Sequence, residues 1–110
     1  MGDRASIVVK SGEERVCLYT HWSGSDLPNT LQNALARGES RWGDFQYLSR
    51  IIFCEMVGAN WADLTGYGIS QQVHDGGSRV IMVDVDAQTV QIQDNPPVPF
   101  AEYAINGSCW

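Results

Sequence analysis

The chain predicts an α+β fold, an antiparallel β-sheet with two helices on one face in the order ββααβββ. Three observations lead there. Runs rich in β-branched and aromatic residues, bounded by turn residues, occupy both ends of the chain. Two segments with apolar residues at helical spacing lie between them. No internal repeat or low-complexity tract interrupts the sequence, and 110 residues suffice for one hydrophobic core, so residues 1–110 are read as a single domain.

Residues 5–10 (Ala-Ser-Ile-Val-Val-Lys) and 15–22 (Arg-Val-Cys-Leu-Tyr-Thr-His-Trp) flank Ser11-Gly12-Glu13-Glu14, which reads as a β-hairpin. Ser25 or Asp26 caps a following helix with Pro28 in its first turn. Leu27, Leu31, Ala34 and Leu35 form its one apolar face, and Gly38 ends it. Gly43-Asp44 opens a second helix that runs to about Val57 and is closed by Gly58. Its apolar residues, Phe45, Leu48, Ile51, Ile52, Phe53, Met56 and Val57, surround most of the axis, which predicts the central buried helix. Residues 67–73 then read as a strand, 74–78 as a turn, and 79–85 and 89–93 as two more strands joined at Asp86-Ala87-Gln88. In the last of these Val90 and Ile92 point inward. Pro96, Pro97 and Pro99 break the sheet pattern and leave 100–105 as a packed tail or short edge strand.

With 44 % apolar and 18 % charged residues the chain belongs with folded globular proteins. Its net charge of −6 repels a phosphate backbone and argues against duplex DNA or RNA as a partner. Six of the seven basic residues are arginines, however, and a guanidinium grips a single phosphate or carboxylate bidentately. A small anionic ligand in a local pocket therefore fits the composition. No run approaches a membrane span and the first residues lack a signal peptide's apolar core, so a soluble cytoplasmic protein is expected. Cys17, Cys54 and Cys109 have no metal-ligand spacing and read as free buried thiols, with no cofactor implied.

The densest concentration of chemistry is the strand-to-helix junction Tyr19-Thr20-His21-Trp22-Ser23-Gly24-Ser25-Asp26. A loop of this kind ahead of a helix presents backbone N–H groups and hydroxyls to a phosphate, while an indole stacks on a base. The candidate ligand-binding residues are His21, Trp22, Ser23, Gly24 and Ser25. To these are added Arg41 and Trp42, a guanidinium beside an indole, and Glu55, a carboxylate that a helical wheel places between Leu48, Ile51 and Ile52. Each also has a purely structural reading. The junction serves as an ordinary cap with Trp22 in the core, Trp42 as a staple onto the second helix, and Glu55 as a hydrogen-bond partner of Arg4, a tyrosine or a turn. Asp84, Asp86 and His74 make a minor metal candidate without an established signature, and no metal is assigned.

The opening Met-Gly-Asp-Arg-Ala, the segment from Leu18 to Pro28, Arg41-Trp42, the run from Tyr47 to Cys54 and Thr65-Gly66-Tyr67-Gly68-Ile69 together resemble small proteins encoded by phages and prophages. The likeness spans residues 1 to about 70. It implies a setting rather than an activity, because small phage proteins of this sort often antagonise host defence. Three function classes follow. The first is a non-catalytic protein that sequesters a nucleotide immune signal. The second is an inhibitor that engages a basic site on a host defence protein through its acidic surface. The third is a small hydrolase or phosphodiesterase using His21 and Glu55. No credible catalytic constellation is present, and the pairing of aromatic, arginine and capped helix favours the first. The surplus apolar surface of the second helix, at Phe53, Cys54 and Val57, further suggests a homo-oligomer.

Overall fold

In chain order the elements are β1 (Ala5–Ser11), β2 (Glu14–Thr20), α1 (Leu27–Arg37), α2 (Phe45–Val57), β3 (Tyr67–Ser70), β4 (Val80–Asp84), β5 (Thr89–Ile92), β6 (Val98–Pro99) and α3 (Phe100–Asn106). Single 3-10 turns lie at Gly24–Asp26, Glu39–Arg41 and Gly58–Asn60. The computed structural model describes residues 2–73 and 79–110. The turn expected at 74–78, with His74, lies outside the described residues.

The six strands form one sheet in the order β3-β2-β1-β4-β5-β6. Neighbours run antiparallel except β1 and β4, which pair in parallel from Ser6 opposite Val80 to Lys10 opposite Asp84. The fold is α+β, but the sheet is mixed rather than antiparallel, and the chain order is ββααββββα rather than ββααβββ. The cause is local. Strand β3 takes the outer edge of β2 and so runs in the direction of β1. The one hairpin edge left is that of β1, and β4 takes it. There β4 begins opposite Ser6 and runs parallel to β1.

Hemmed in on both edges, β1 is also buried on both faces from Ala5 to Val9, as its apolar Ile7-Val8-Val9 requires, with Ser6 buried among them. Ala5, Ile7, Val9, Leu18, Ile81, Val83, Val90 and Ile92 face the helices and form the core with Leu31, Leu35, Leu48, Ile52, Phe100 and Tyr103. The β1–β2 turn closes at Gly12, whose φ of +59° favours glycine. Asp86 accepts from Gly12 N–H at 2.6 Å and from Ser11 Oγ at 2.8 Å, tying that turn to the end of β4. Asp84 meets Lys10 at 3.7 Å and accepts from Ala87 N–H. These two aspartates thus serve the strand ends, and among the described residues no group of three or more metal-ligating side chains forms.

Helix α1 buries the expected stripe of Leu27, Leu31, Ala34 and Leu35, together with Pro28. It lies between α2 and α3 and is the central helix. The sequence assigned that place to α2, which buries Leu48, Ile52 and Met56 while Phe45, Ile51, Phe53 and Val57 are half-covered and Cys54 is exposed. An all-round apolar wheel does not require all-round burial when the helix sits at the flank of the layer. Cys17 is buried, but Cys54 and Cys109 are exposed, so the expectation of three buried thiols is corrected. Asp44 caps α2 through Tyr47 N–H at 3.0 Å and Gly58 closes it at φ +52°. Among the described residues no helix is long and apolar enough to cross a membrane.

Residues 98–106 also correct the sequence reading, which left 100–105 as a tail or strand. Val98–Pro99 is the short edge strand and α3 follows immediately, with Phe100, Tyr103 and Ala104 at helical spacing and Gly107 at its end. Tyr103 is fully buried and its hydroxyl donates to the Pro28 carbonyl at 2.7 Å, joining α3 to the first turn of α1. Burial raises its phenol pKa, so it stays a neutral donor. Tyr103→Phe leaves the Pro28 carbonyl without this donor. It is expected to cost about 1–3 kcal/mol in urea denaturation, with an unchanged m-value.

Candidate functional site

Strand register gathers the site. Ala5 opposite Thr20 and Ser6 opposite Val80 place three chain segments at one end of the sheet: the residues before β1, the residue before β4, and the junction after β2. Asp3, Arg79 and residues 21–25 meet there.

Asp3 is the hub of this cluster. Its N–H donates to the His21 carbonyl at 2.6 Å and its own carbonyl accepts from Gly24 N–H at 2.8 Å. Its carboxylate accepts from Ser25 N–H at 2.9 Å and from the Arg79 guanidinium. Arg79 also donates from Nε to the Arg4 carbonyl at 3.1 Å. The guanidinium lies over the Trp110 ring, 5.4 Å from its centroid, and the Trp110 indole N–H donates to the Gly24 carbonyl at 2.8 Å. The hydrogen bond from Arg79, then those from the Ser25 backbone and side chain, lower the Asp3 pKa from 3.8 to about 2. Gly24 is required by space. A Cβ there would stand 2.6 Å from both Arg79 Nη2 and the Asp3 carbonyl oxygen.

His21 and Trp22 flank this cluster. His21 Nδ1 is 2.8 Å from the Tyr19 hydroxyl, and the His21 ring meets Trp22 edge-on with centroids 4.4 Å apart. Trp22 is 60 % exposed, so the reading that buried it in the core is corrected. Its indole rests on Gly66, where a Cβ would be 2.8 Å from Nε1. Ser23 turns back on the strand, its hydroxyl 2.9 Å from Thr20 Oγ1. Neither Ser25 nor Asp26 caps α1 through its side chain.

The remaining candidates sit elsewhere. Arg41, Trp42 and the Arg37–Glu55 pair lie at the C-terminal end of α1, about 16 Å along the helix from Ser25. Trp42 donates to the Leu35 carbonyl at 2.9 Å and packs edge-on against Phe100 at 5.6 Å. Arg41 lies over Tyr47 at 4.8 Å and 3.9 Å from Asp44. Glu55 is half-buried and accepts from Arg37 Nε at 3.1 Å. The structure brings His21, Trp22, Ser23, Gly24 and Ser25 together and separates them from Arg41, Trp42 and Glu55.

The guanidinium–indole pairing sought at Arg41-Trp42 is found at the junction, between Arg79 and Trp110. Nothing local in the sequence marks these two or Asp3, since they lie some 20 to 86 residues from the junction. Two open clefts lie apart from the junction. One of about 560 Å³ is lined by Glu13, Glu14, Arg15, Phe45, Gln71 and Gln72, and its two carboxylates disfavour an anion. The other, about 320 Å³, is lined by Ala36, Glu39, Trp42, Ala101, Ala104 and Ile105 and offers no cation. Compared with protein-family models, curated proteins and solved structures, the chain matches none.

The Asp3 contact is expected to report directly on pH. A carboxylate whose folded pKa is lowered contributes stability above its unfolded value, near 3.8, and that contribution disappears as pH falls through about 2. Carbon-detected NMR is expected to follow Asp3 titrating near 2, and to find it raised in Arg79→Ala but still below its ordinary value, because the Ser25 hydrogen bonds remain. An Asp3 titration near 4 in the unaltered protein would show that Arg79 does not hold it.

Proposed function

We propose that this chain is a non-catalytic binding protein that takes the phosphate of a small nucleotide at the β2–α1 junction, in place of the Asp3 carboxylate. The observation that carries this reading is the convergence of Ser25 N–H and the Arg79 guanidinium on one carboxylate at the start of a helix. An oxyanion of the chain's own already occupies the position, and phosphate has the same charge sign and the same acceptor oxygens. The exposed Trp22 ring beside the cluster is available to a base. Together with the resemblance to small phage and prophage proteins, this favours sequestration of a nucleotide immune signal, and hence a host-defence antagonist. Hydrolysis by His21 and Glu55 lacks support, because these residues lie at opposite ends of α1.

The test is a thermal-shift series with cyclic mono-, di- and trinucleotides and ADP-ribose derivatives, followed by chemical analysis of each recovered compound. One nucleotide is expected to stabilise the protein, by about 2.7 kcal/mol at a concentration of 100 Kd, and to be recovered intact. Trp22→Ala and Arg79→Ala are expected to remove the shift while circular dichroism stays native. Asp3→Ala, which vacates the position, is expected to strengthen binding. Arg41→Ala, at the far end of α1, is expected to change nothing. A flat response across the panel would overturn the reading in favour of a protein partner, and an altered nucleotide would overturn it in favour of an enzyme.

A further inference from the structure

The two edges of the sheet are treated differently by the sequence. Edge β6 is Val98–Pro99, preceded by Pro96 and Pro97, and proline has no N–H to offer an incoming strand. Edge β3 has no such protection. Residues 64–73 contain neither proline nor any charged side chain, in a chain of net charge −6. Large apolar side chains are exposed along the same stretch, with Leu64 at 99 % and Ile69 at 62 %, and Trp61 and Trp22 exposed close by.

The hydrogen-bond phase of β3 fixes what its free edge offers. His21 N–H donates to the Gly66 carbonyl at 2.8 Å, and the register continues through Tyr19 opposite Gly68 and Cys17 opposite Ser70. In an antiparallel ladder, Gly66, Gly68 and Ser70 therefore turn their backbone groups toward β2, while Tyr67 and Ile69 turn theirs outward. A second copy of the same edge, related by a two-fold axis through Gly68, pairs Tyr67 with the other copy's Ile69 in both directions. Both pairs are hydrogen-bonded and each sets an aromatic beside a β-branched side chain. Gly68 then faces its own equivalent at the close, non-hydrogen-bonded position.

We propose that β3 is a self-association edge, where two copies of this chain join antiparallel about Gly68 to form a continuous sheet. Charge selects this occupant. A basic partner finds no carboxylate on residues 64–73, whereas an acidic chain meets its own copy here without like-charge repulsion. This is not the surface first suggested for oligomer formation, the flank of α2 at Phe53, Cys54 and Val57.

Sedimentation of the full chain tests the proposal, independently of any nucleotide. The protein is expected to sediment as a dimer of the 12.2 kDa chain. Ile69→Lys, which places a charge at an already exposed position, is expected to give the monomer with an unchanged circular dichroism spectrum. A second variant reads the register. Gly68→Cys, made with Cys54→Ser and Cys109→Ser, has room for its side chain, since the nearest atom to an added Cβ is the Tyr19 ring at 3.9 Å. Across a non-hydrogen-bonded pair the Cα atoms stand about 4.5 Å apart, within disulfide reach, so oxidation is expected to cross-link the dimer. A wild-type monomer across the concentration range, a dimer that survives Ile69→Lys, or a dimer that does not cross-link through residue 68 would each overturn the proposal.

Discussion

The parallel pairing of β1 with β4 is the constraint on which the rest of this structure depends. It fills the second edge of β1, so the stretch from Ala5 to Val9 is buried on both faces and between two neighbours. It also decides which ends of the strands meet. With Ser6 opposite Val80, the residue preceding β4 arrives beside the residues preceding β1, and the hairpin has already delivered the end of β2 to the same place. An antiparallel β4 would have carried Arg79 to the opposite end of the sheet, some five residues of strand away. The core and the candidate site are therefore consequences of one register.

Electrostatics at that end of the sheet follow from the same geometry. The N–H groups of Gly24 and Ser25 lie at the start of a helical segment and need acceptors, while Arg79 brings a full positive charge. Asp3 answers these needs with three oxygens, its carbonyl toward Gly24 and its two carboxylate oxygens toward Ser25 and Arg79, and the last two contacts explain why the carboxylate resists protonation although it lies near the surface. Trp110 covers the other side of the guanidinium and anchors the last residue to Gly24. The two ends of the chain thus converge on the junction, with no disulfide or metal joining them among the described residues.

What the sequence reveals here is governed by distance along the chain. The hairpin about Gly12, the stripe of α1 and the Asp44 cap of α2 rest on contacts within a few residues, and they are legible as spacing. The same was true of α3, where Phe100, Tyr103 and Ala104 carry the helical interval. Reading Pro99 only as a sheet breaker concealed that a helix begins directly after it. Strand direction is different. Nothing in residues 79–85 records whether their neighbour will be β1 or β3, and the answer lies in which hairpin edge β3 leaves free. The junction from His21 to Ser25 was visible as a cluster for the same local reason. Its partners Asp3, Arg79 and Trp110 were not, because only the fold brings them within reach. Arg41-Trp42 shows the converse, an adjacency in sequence that the structure spends on fastening Trp42 to Leu35 and Phe100.

The junction and the free edge of the sheet are joined through one backbone unit. His21 donates its N–H to Gly66, at the start of β3, and accepts at its carbonyl from Asp3 N–H. Trp22, the next residue, lies on Gly66, and Gly66 takes a φ of +99° that most side chains disfavour. The contact therefore depends on glycine both for its conformation and for the space that the indole fills. Because β3 is only four residues long, its position relies heavily on this end of its pairing with β2. A displacement of Asp3 removes one of the two hydrogen bonds that hold the His21 peptide units, and the surviving one leads directly to the edge strand. The N-terminal segment, the junction and β3 are in this sense a single hydrogen-bonded unit built on the β1–β4 register.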